Sequence, residues 1–421
     1  LAELRLRRGR RDEALALYRQ AMAQAPESMA AAHCLARLVV GGGELDSLLA
    51  QEPPQALYRF GVALSEAGRY PEAAAVFERI VGMRPQTVAD WLRLAQQYER
   101  AQAHDRAESL LERAVEAMPD SAELYVYWGA MRELLQRPDD AIAVYRRGLE
   151  RQADRTRLYL SWGLALETRQ RYGEAQQVYE RALTELPAAA ELQVRRGVTL
   201  ARQDRPEAAL GCFEAARARE PASLDAQVQA GLALEELGRW DEAIARLARA
   251  AAADSSTTWA LFLLGAAQER AARALGDSVY FDQATATFEQ ILALDPEHGN
   301  ALNYLGYMLA DAGQRLEEAV GLLQRAVALE PDNGAFLDSL GWACFRLGRL
   351  DEAWDYLQRA LANLSPDYQA EERAVILQHA GDVAVALGER DTARTHYAAA
   401  LLLAPADALL QNKLAALEEA R

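Results

Sequence analysis

Seven side chains in one stretch of this 421-residue chain are of types that recognise a peptide: Asn300, Asn303, Tyr307, Asp311, Asp338, Trp342 and Arg346. An asparagine amide can donate to and accept from an extended backbone simultaneously, and tyrosine and tryptophan are large anchors with little rotamer entropy to lose. Asn303 and Tyr307 stand four positions apart, as do Asp338 and Trp342. On a helix, that spacing puts each pair on one face. Catalytic types are sparse by comparison. The five histidines include none paired at metal-ligand spacing, and the three cysteines, Cys34, Cys212 and Cys344, are too scattered for a disulfide framework or a zinc cage. His379 and His396 have no nucleophile in a recognisable motif near them and read as surface or half-buried structural residues. An enzyme is not expected, and no cofactor or metal is implied.

Charge and composition narrow the partners. Against 46 basic side chains stand 62 acidic ones, a formal charge of −16 that repels phosphate backbones and argues against nucleic acid. No uninterrupted apolar run reaches the length of about 18 residues that a membrane-spanning helix needs. Attachment to a membrane would therefore use a lipid anchor outside this chain, which opens at Leu1. Hydrophobic residues make up 51%, enough for a packed core. Lys413 is the sole lysine, and this arginine- and alanine-rich usage fits a GC-rich bacterial genome.

The elements that would position these residues repeat. Glycines fall at Gly61, Gly129, Gly163, Gly197, Gly231 and Gly265 with a period of 34, Ala95 filling the one gap. Twelve positions after them come Ala73, Ala107, Ala141, Ala175, Ala209 and Ala243, and four further on Phe77, Leu111, Tyr145, Tyr179, Phe213 and Leu247. Prolines such as Pro119, Pro187, Pro221, Pro296, Pro331 and Pro405 close the units. Apolar spacing of three and four on both sides of a polar turn, as at Gly238 to Glu242, reads as two antiparallel helices. Glycine and alanine let the two backbones approach, and the bulky residue is expected to fill the wider gap one turn along. A single unit cannot bury its apolar face, so the units must stack.

Breaks in the register divide the chain into irregular N-terminal units at 1–54, a regular array at 55–298, further units at 299–405 and a capping helix at 406–421. Gly41, Gly42 and Gly43 interrupt the first part, with no lysine-serine or lysine-threonine after them to make a phosphate loop. Between 266 and 284 seven extra residues, about two helical turns, predict a lengthened hairpin with its tip at Gly276, Asp277 and Ser278, where Asp277 or Ser278 caps the second helix. Val279, Tyr280 and Phe281 would then either pack on their own partner helix or form a partner-binding knob. Residues 363–368 add a further insertion. The tail carries an apolar stripe of Leu409, Leu410, Leu414 and Leu417.

Units of this form resemble the tetratricopeptide repeat, and the resemblance implies an inner groove lined by first helices, at the positions three before and one after the glycine. From Val126 through Leu160, Leu164, Val194, Val198, Val228 and Leu232 to Phe262, those positions form an aliphatic stripe flanked by charges such as Glu133, Glu167, Glu235, Glu269 and Arg270. Contiguous exposed apolar surface marks a binding site. The stripe then gives way to the polar and aromatic set around Tyr307 and Trp342.

The unit at Trp162, Gly163, Leu166, Ala175, Tyr179, Ala182 and Pro187 resembles the tetratricopeptide repeat. That resemblance implies an all-α, right-handed α-solenoid of about eleven hairpins working as a non-catalytic protein-binding scaffold. The carboxylate-clamp lysines and arginines of chaperone-binding members are missing. Asn303 to Tyr307, Leu309 to Asp311, Leu337 to Trp342 and Gly381 to Val383 are similar to a subgroup of bacterial tetratricopeptide lipoproteins on the periplasmic face of the outer membrane. Some of these are adaptors that bring substrates to a carboxyl-terminal processing protease, and the resemblance implies such a protease and its substrates as partners. A docking subunit of an envelope machine, for pili, polysaccharide export or outer-membrane assembly, and a cytoplasmic scaffold are the alternatives. Self-association through the free faces is open in each case.

Overall fold

The computed structural model describes residues 1–25, 28–38, 45–46, 50, 52–82, 87–151, 153–253, 258–364 and 369–419. The glycine run at 41–43 and residues 365–368 of the late insertion lie outside them. Among the described residues the chain folds into 24 helices and no strand. It forms two compact units, Leu1–Asp204 and Arg205–Arg421.

The first unit holds α1 (Ala2–Arg7), α2 (Arg11–Gln24), α3 (Met29–Leu38), α4 (Pro54–Glu66), α5 (Tyr70–Gly82), α6 (Val88–Arg100), α7 (His104–Ala117), α8 (Ala122–Leu134), α9 (Pro138–Glu150), α10 (Arg155–Glu167), α11 (Tyr172–Glu185) and α12 (Ala190–Ala201). The second holds α13 (Pro206–Arg219), α14 (Leu224–Glu236), α15 (Trp240–Ala253), α16 (Thr258–Leu275), α17 (Ser278–Leu294), α18 (Gly299–Asp311), α19 (Leu316–Leu329), α20 (Gly334–Arg346), α21 (Leu350–Ala362), α22 (Ala370–Ala386), α23 (Arg390–Leu403) and α24 (Ala408–Glu419). Within each unit sequential helices pack as antiparallel hairpins, and successive hairpins pack on each other. This is the α-solenoid the periodicity predicts.

The repeat's residue types have local causes. Each hairpin turn needs one residue in the left-handed region, and Gly68, Gln102, Gln136, Gln170, Asp204 and Gly238 take it at intervals of 34. In four of these turns the following arginine precedes the second helix and pairs with an acid three positions on, as in Arg171 with Glu174 at 2.7 Å and Arg239 with Glu242 at 2.8 Å. The acid also sits where the helix N-terminus favours negative charge. The bulky residue does not fill a gap one turn along from the glycine. It lies on the glycine itself: a Cβ added at Gly129 would fall 2.2 Å from the Tyr145 ring, and one at Gly381 2.3 Å from that of Tyr397. The hairpin closes by packing a bulky side chain, an aromatic ring or a leucine, on bare backbone.

In the lengthened hairpin, α16 and α17 have 18 and 17 residues, against 13 and 14 in α18 and α19. Gly276 turns the chain with φ +65°, and Asp277 caps α17 by accepting from the Val279 amide at 2.9 Å. At the C-terminus, Leu410 of α24 is buried, Leu414 and Leu417 are half-buried and Leu409 is exposed. The Lys413 ammonium ties this helix to Asp382 at 2.7 Å.

Candidate functional site

In the second unit, three neighbouring first helices bring their side chains together. Helix α18 contributes Tyr307 and Asp311, α20 contributes Asp338, Trp342 and Arg346, and α22 contributes His379. The Trp342 indole donates to Asp311 Oδ1 at 3.3 Å, and the Arg346 guanidinium donates to the Asp311 carbonyl. Trp342 stacks on the His379 ring at 4.2 Å between centroids and 18° between planes. His379 Nδ1 lies 2.9 Å from Asp338 Oδ1, and the Tyr307 ring is 6.5 Å from the imidazole.

Burial separates supporting residues from presented ones. Asp338 and His379 are 7% and 4% exposed, so this pair is an internal prop. Tyr307, Trp342, Arg346 and Asn303 are half-buried, while Asn300 and Asp311 are exposed. Burial alone would lower the imidazolium's pKa. The Asp338 charge and hydrogen bond, with Asp382 and Asp311 beyond, instead hold His379 above its ordinary value. Burial, then the Asp311 and Asp338 carboxylates, push the Tyr307 phenol up to about 12, so it remains a neutral hydroxyl. One turn before it, the Asn303 Oδ1 is buried without a hydrogen-bond donor.

The aliphatic stripe is less exposed than its positions imply. In the first unit Val194 is buried at 3% exposure, Val126, Leu160 and Val198 are half-buried, and Leu164 is 40% exposed. In the second, Val228 is buried at 1%, and Leu232 and Phe262 are half-buried. Phe262 packs among Phe288, His298 and Tyr304, with ring centroids 5.1 to 5.9 Å away. The flanking acids are likewise engaged. Tyr145 and Tyr179 donate to Glu133 and Glu167, each at 2.6 Å, and Arg270 donates to Glu235 at 2.8 Å.

Tyr280 packs back on its own neighbours, its hydroxyl donating to Asp241 at 2.5 Å. Val279 is 56% exposed. Phe281 is half-buried and turns toward α18. There the overhang of α16 and α17 borders an open pocket of about 300 Å³ whose lining includes Phe281, Tyr307 and Asp311. The tip and the Tyr307–Asp311 end of α18, separate in the sequence, meet at this cavity. A second cavity of about 670 Å³, within the first unit, lies among α9, α10 and α11. Its arginines are engaged: Arg171 with Asp139 and Glu174, and Arg146 over the Trp162 ring. Among the described residues no three His, Cys, Asp or Glu side chains group as a metal site requires.

His379 is the member of the site that spacing did not single out. It falls two positions before Gly381, outside the two columns used to trace the groove, and the insertion at 363–368 shifts it out of the period of 34. Its signal was modest: a histidine on the same helix face as those columns.

Family models for the tetratricopeptide repeat match residues 1–30, 64–126, 134–190, 194–258, 269–333 and 310–368. No curated protein matches the chain. Among solved structures, a tetratricopeptide repeat protein from Parabacteroides merdae is similar with a TM-score of 0.50 at 14% identity, over 62% of this chain and 97% of that one. The Cut9–Hcn1 hetero-tetramer of the APC/C gives a TM-score of 0.48 at 16% identity over 99% and 89%. The type IV pilus biogenesis factor PilW gives 0.44 at 19% over 53% and 98%.

Proposed function

The chain belongs to the tetratricopeptide repeat family, and from that premise we propose that it is a scaffold that holds an extended segment of a partner protein along the first helices of its second unit. The observation that carries this reading is the set Asp311, Trp342 and Arg346, partly open to solvent and fixed in place by bonds between neighbouring first helices, with the Tyr307 ring beside them. Preorganised aromatic and charged side chains lose little entropy on binding, so a larger share of the contact energy appears as affinity. The undonated Asn303 oxygen adds an acceptor on the same face. A buried acceptor without a partner costs about 1–3 kcal/mol, which a backbone N–H of a bound segment would offset after a small turn of the amide.

At finer grain, our reading is an envelope adaptor: a lipid-anchored protein at the periplasmic face of the outer membrane that delivers substrates to a carboxyl-terminal processing protease. The sequence similarity of residues 299–400 to that lipoprotein subgroup supports it. The test uses the purified chain with the processing protease encoded in the same genome. Under this reading, adding the chain raises the rate of substrate cleavage several-fold, and the full-length protein fractionates with outer membranes. Unchanged cleavage together with one stoichiometric, uncleaved partner would instead assign the chain to an assembly machine.

A further inference from the structure

We propose that the cavity beneath the overhanging hairpin receives a lysine or arginine side chain, so that the bound segment is basic where it passes α18. This deepens the function proposed above and rests on it. The extra turns of α16 and α17 make the cavity, and its volume of about 300 Å³ suits one long side chain rather than a helix. Its walls include the Phe281 and Tyr307 rings, and its rim carries Asp277, Asp282 and Asp311. The cation in its lining, Arg273, is already paired with Glu269.

The three rim carboxylates keep acceptor capacity. Asp282 has no hydrogen bond or ion pair among the described residues. Asp277 uses one oxygen on the Val279 amide. Asp311 receives the Trp342 indole on Oδ1, and its side chain is 51% exposed, with Arg346 at 3.9 Å. A guanidinium or ammonium entering beside the Phe281 and Tyr307 rings gains cation–π attraction and charge-assisted hydrogen bonds. An acidic side chain would meet repulsion. An apolar one would desolvate carboxylates and leave them unpaired.

The test passes a positional-scanning nonapeptide library over the immobilised full chain and over Asp277→Asn/Asp282→Asn/Asp311→Asn. These amides are isosteric, and their oxygens can still cap α17 and accept from Trp342, so the fold is kept; circular dichroism checks this. The expected result is enrichment of lysine and arginine over glutamate by about tenfold in at least one position, the scale of one charge-assisted bond. The triple variant should lose that preference, while Val279→Ala, outside the cavity, should keep it. Retention of peptides by the wild type with no basic preference, or a preference that survives in the triple variant, overturns the cationic pocket and leaves the groove standing. Failure to retain any peptide overturns both.

Discussion

Replacing Asp338 with alanine is expected to destabilise the second unit by about 3–5 kcal/mol in mild acid, where His379 carries its proton, because it leaves the imidazolium in the interior without its counter-charge. The pair is almost fully enclosed, and the Trp342 ring covers the imidazole, so water cannot substitute for the lost carboxylate. Asp338→Leu/His379→Phe should recover most of the loss, since it removes both charges and keeps a ring for Trp342 to stack on. Urea denaturation of the full chain followed by circular dichroism separates these outcomes, and a single-variant loss below about 1 kcal/mol would show the pair to be dispensable. The same substitution has a pH signature. His379 is held above its ordinary value of 6.5, so its folded form binds the proton more tightly than its unfolded form. The ion pair's contribution is therefore fully present below pH 6.5 and is lost as pH climbs through the raised folded value. The stability gap between wild type and Asp338→Ala should be widest in mild acid and narrow in alkali.

The second large effect is expected at a glycine. In an exposed helix interior, glycine to alanine stabilises by about 1 kcal/mol. At Gly163 the added Cβ would lie 2.2 Å from Tyr179 Cζ and 2.3 Å from its hydroxyl oxygen. Tyr179 has no room to retreat, since it is fully buried and its hydroxyl is bound to Glu167 at 2.6 Å. Gly163→Ala should therefore cost about 1–3 kcal/mol as an overpacked core, the opposite sign from a surface site. Gly211→Ala, where a Cβ meets nothing within 4 Å, is the control and should be neutral or stabilising. The chain itself contains the compensating combination, Ala95 with Leu111, both fully buried. Gly163→Ala/Tyr179→Leu copies that pair and should regain part of the loss. A single variant as stable as wild type would mean that the ring does not rest on this glycine.

Much of the scaffold was legible because its constraints are local and recur. The period of 34 located the hairpins, and the seven extra residues before Ala284 located the lengthened helices and narrowed the cap to Asp277 or Ser278, of which Asp277 takes the role. Tyr307, Asp311, Trp342 and Arg346 were legible as a set because four-residue spacing on a helix is a statement about one face. The links between helices were not legible. The His379–Asp338 bond joins residues 41 apart, and no periodic column contains it. The exposure of the aliphatic stripe was misjudged for a related reason. Val194 and Val228 share a register position with Leu160, but whether such a position is covered depends on the neighbouring hairpin's side chains. The cavity under the tip was hidden because its two walls come from segments that the sequence presents as separate features.

Amide hydrogen exchange of the full chain, alone and with a co-purified partner, tests the central claim most directly. Slowed exchange in Gly299–Asp311 and Gly334–Arg346 on partner binding, with the second helices Leu316–Leu329 and Leu350–Ala362 little changed, is the predicted result. Protection confined to the second helices or to Leu1–Asp204, with those two first helices exchanging as in the free chain, would contradict it.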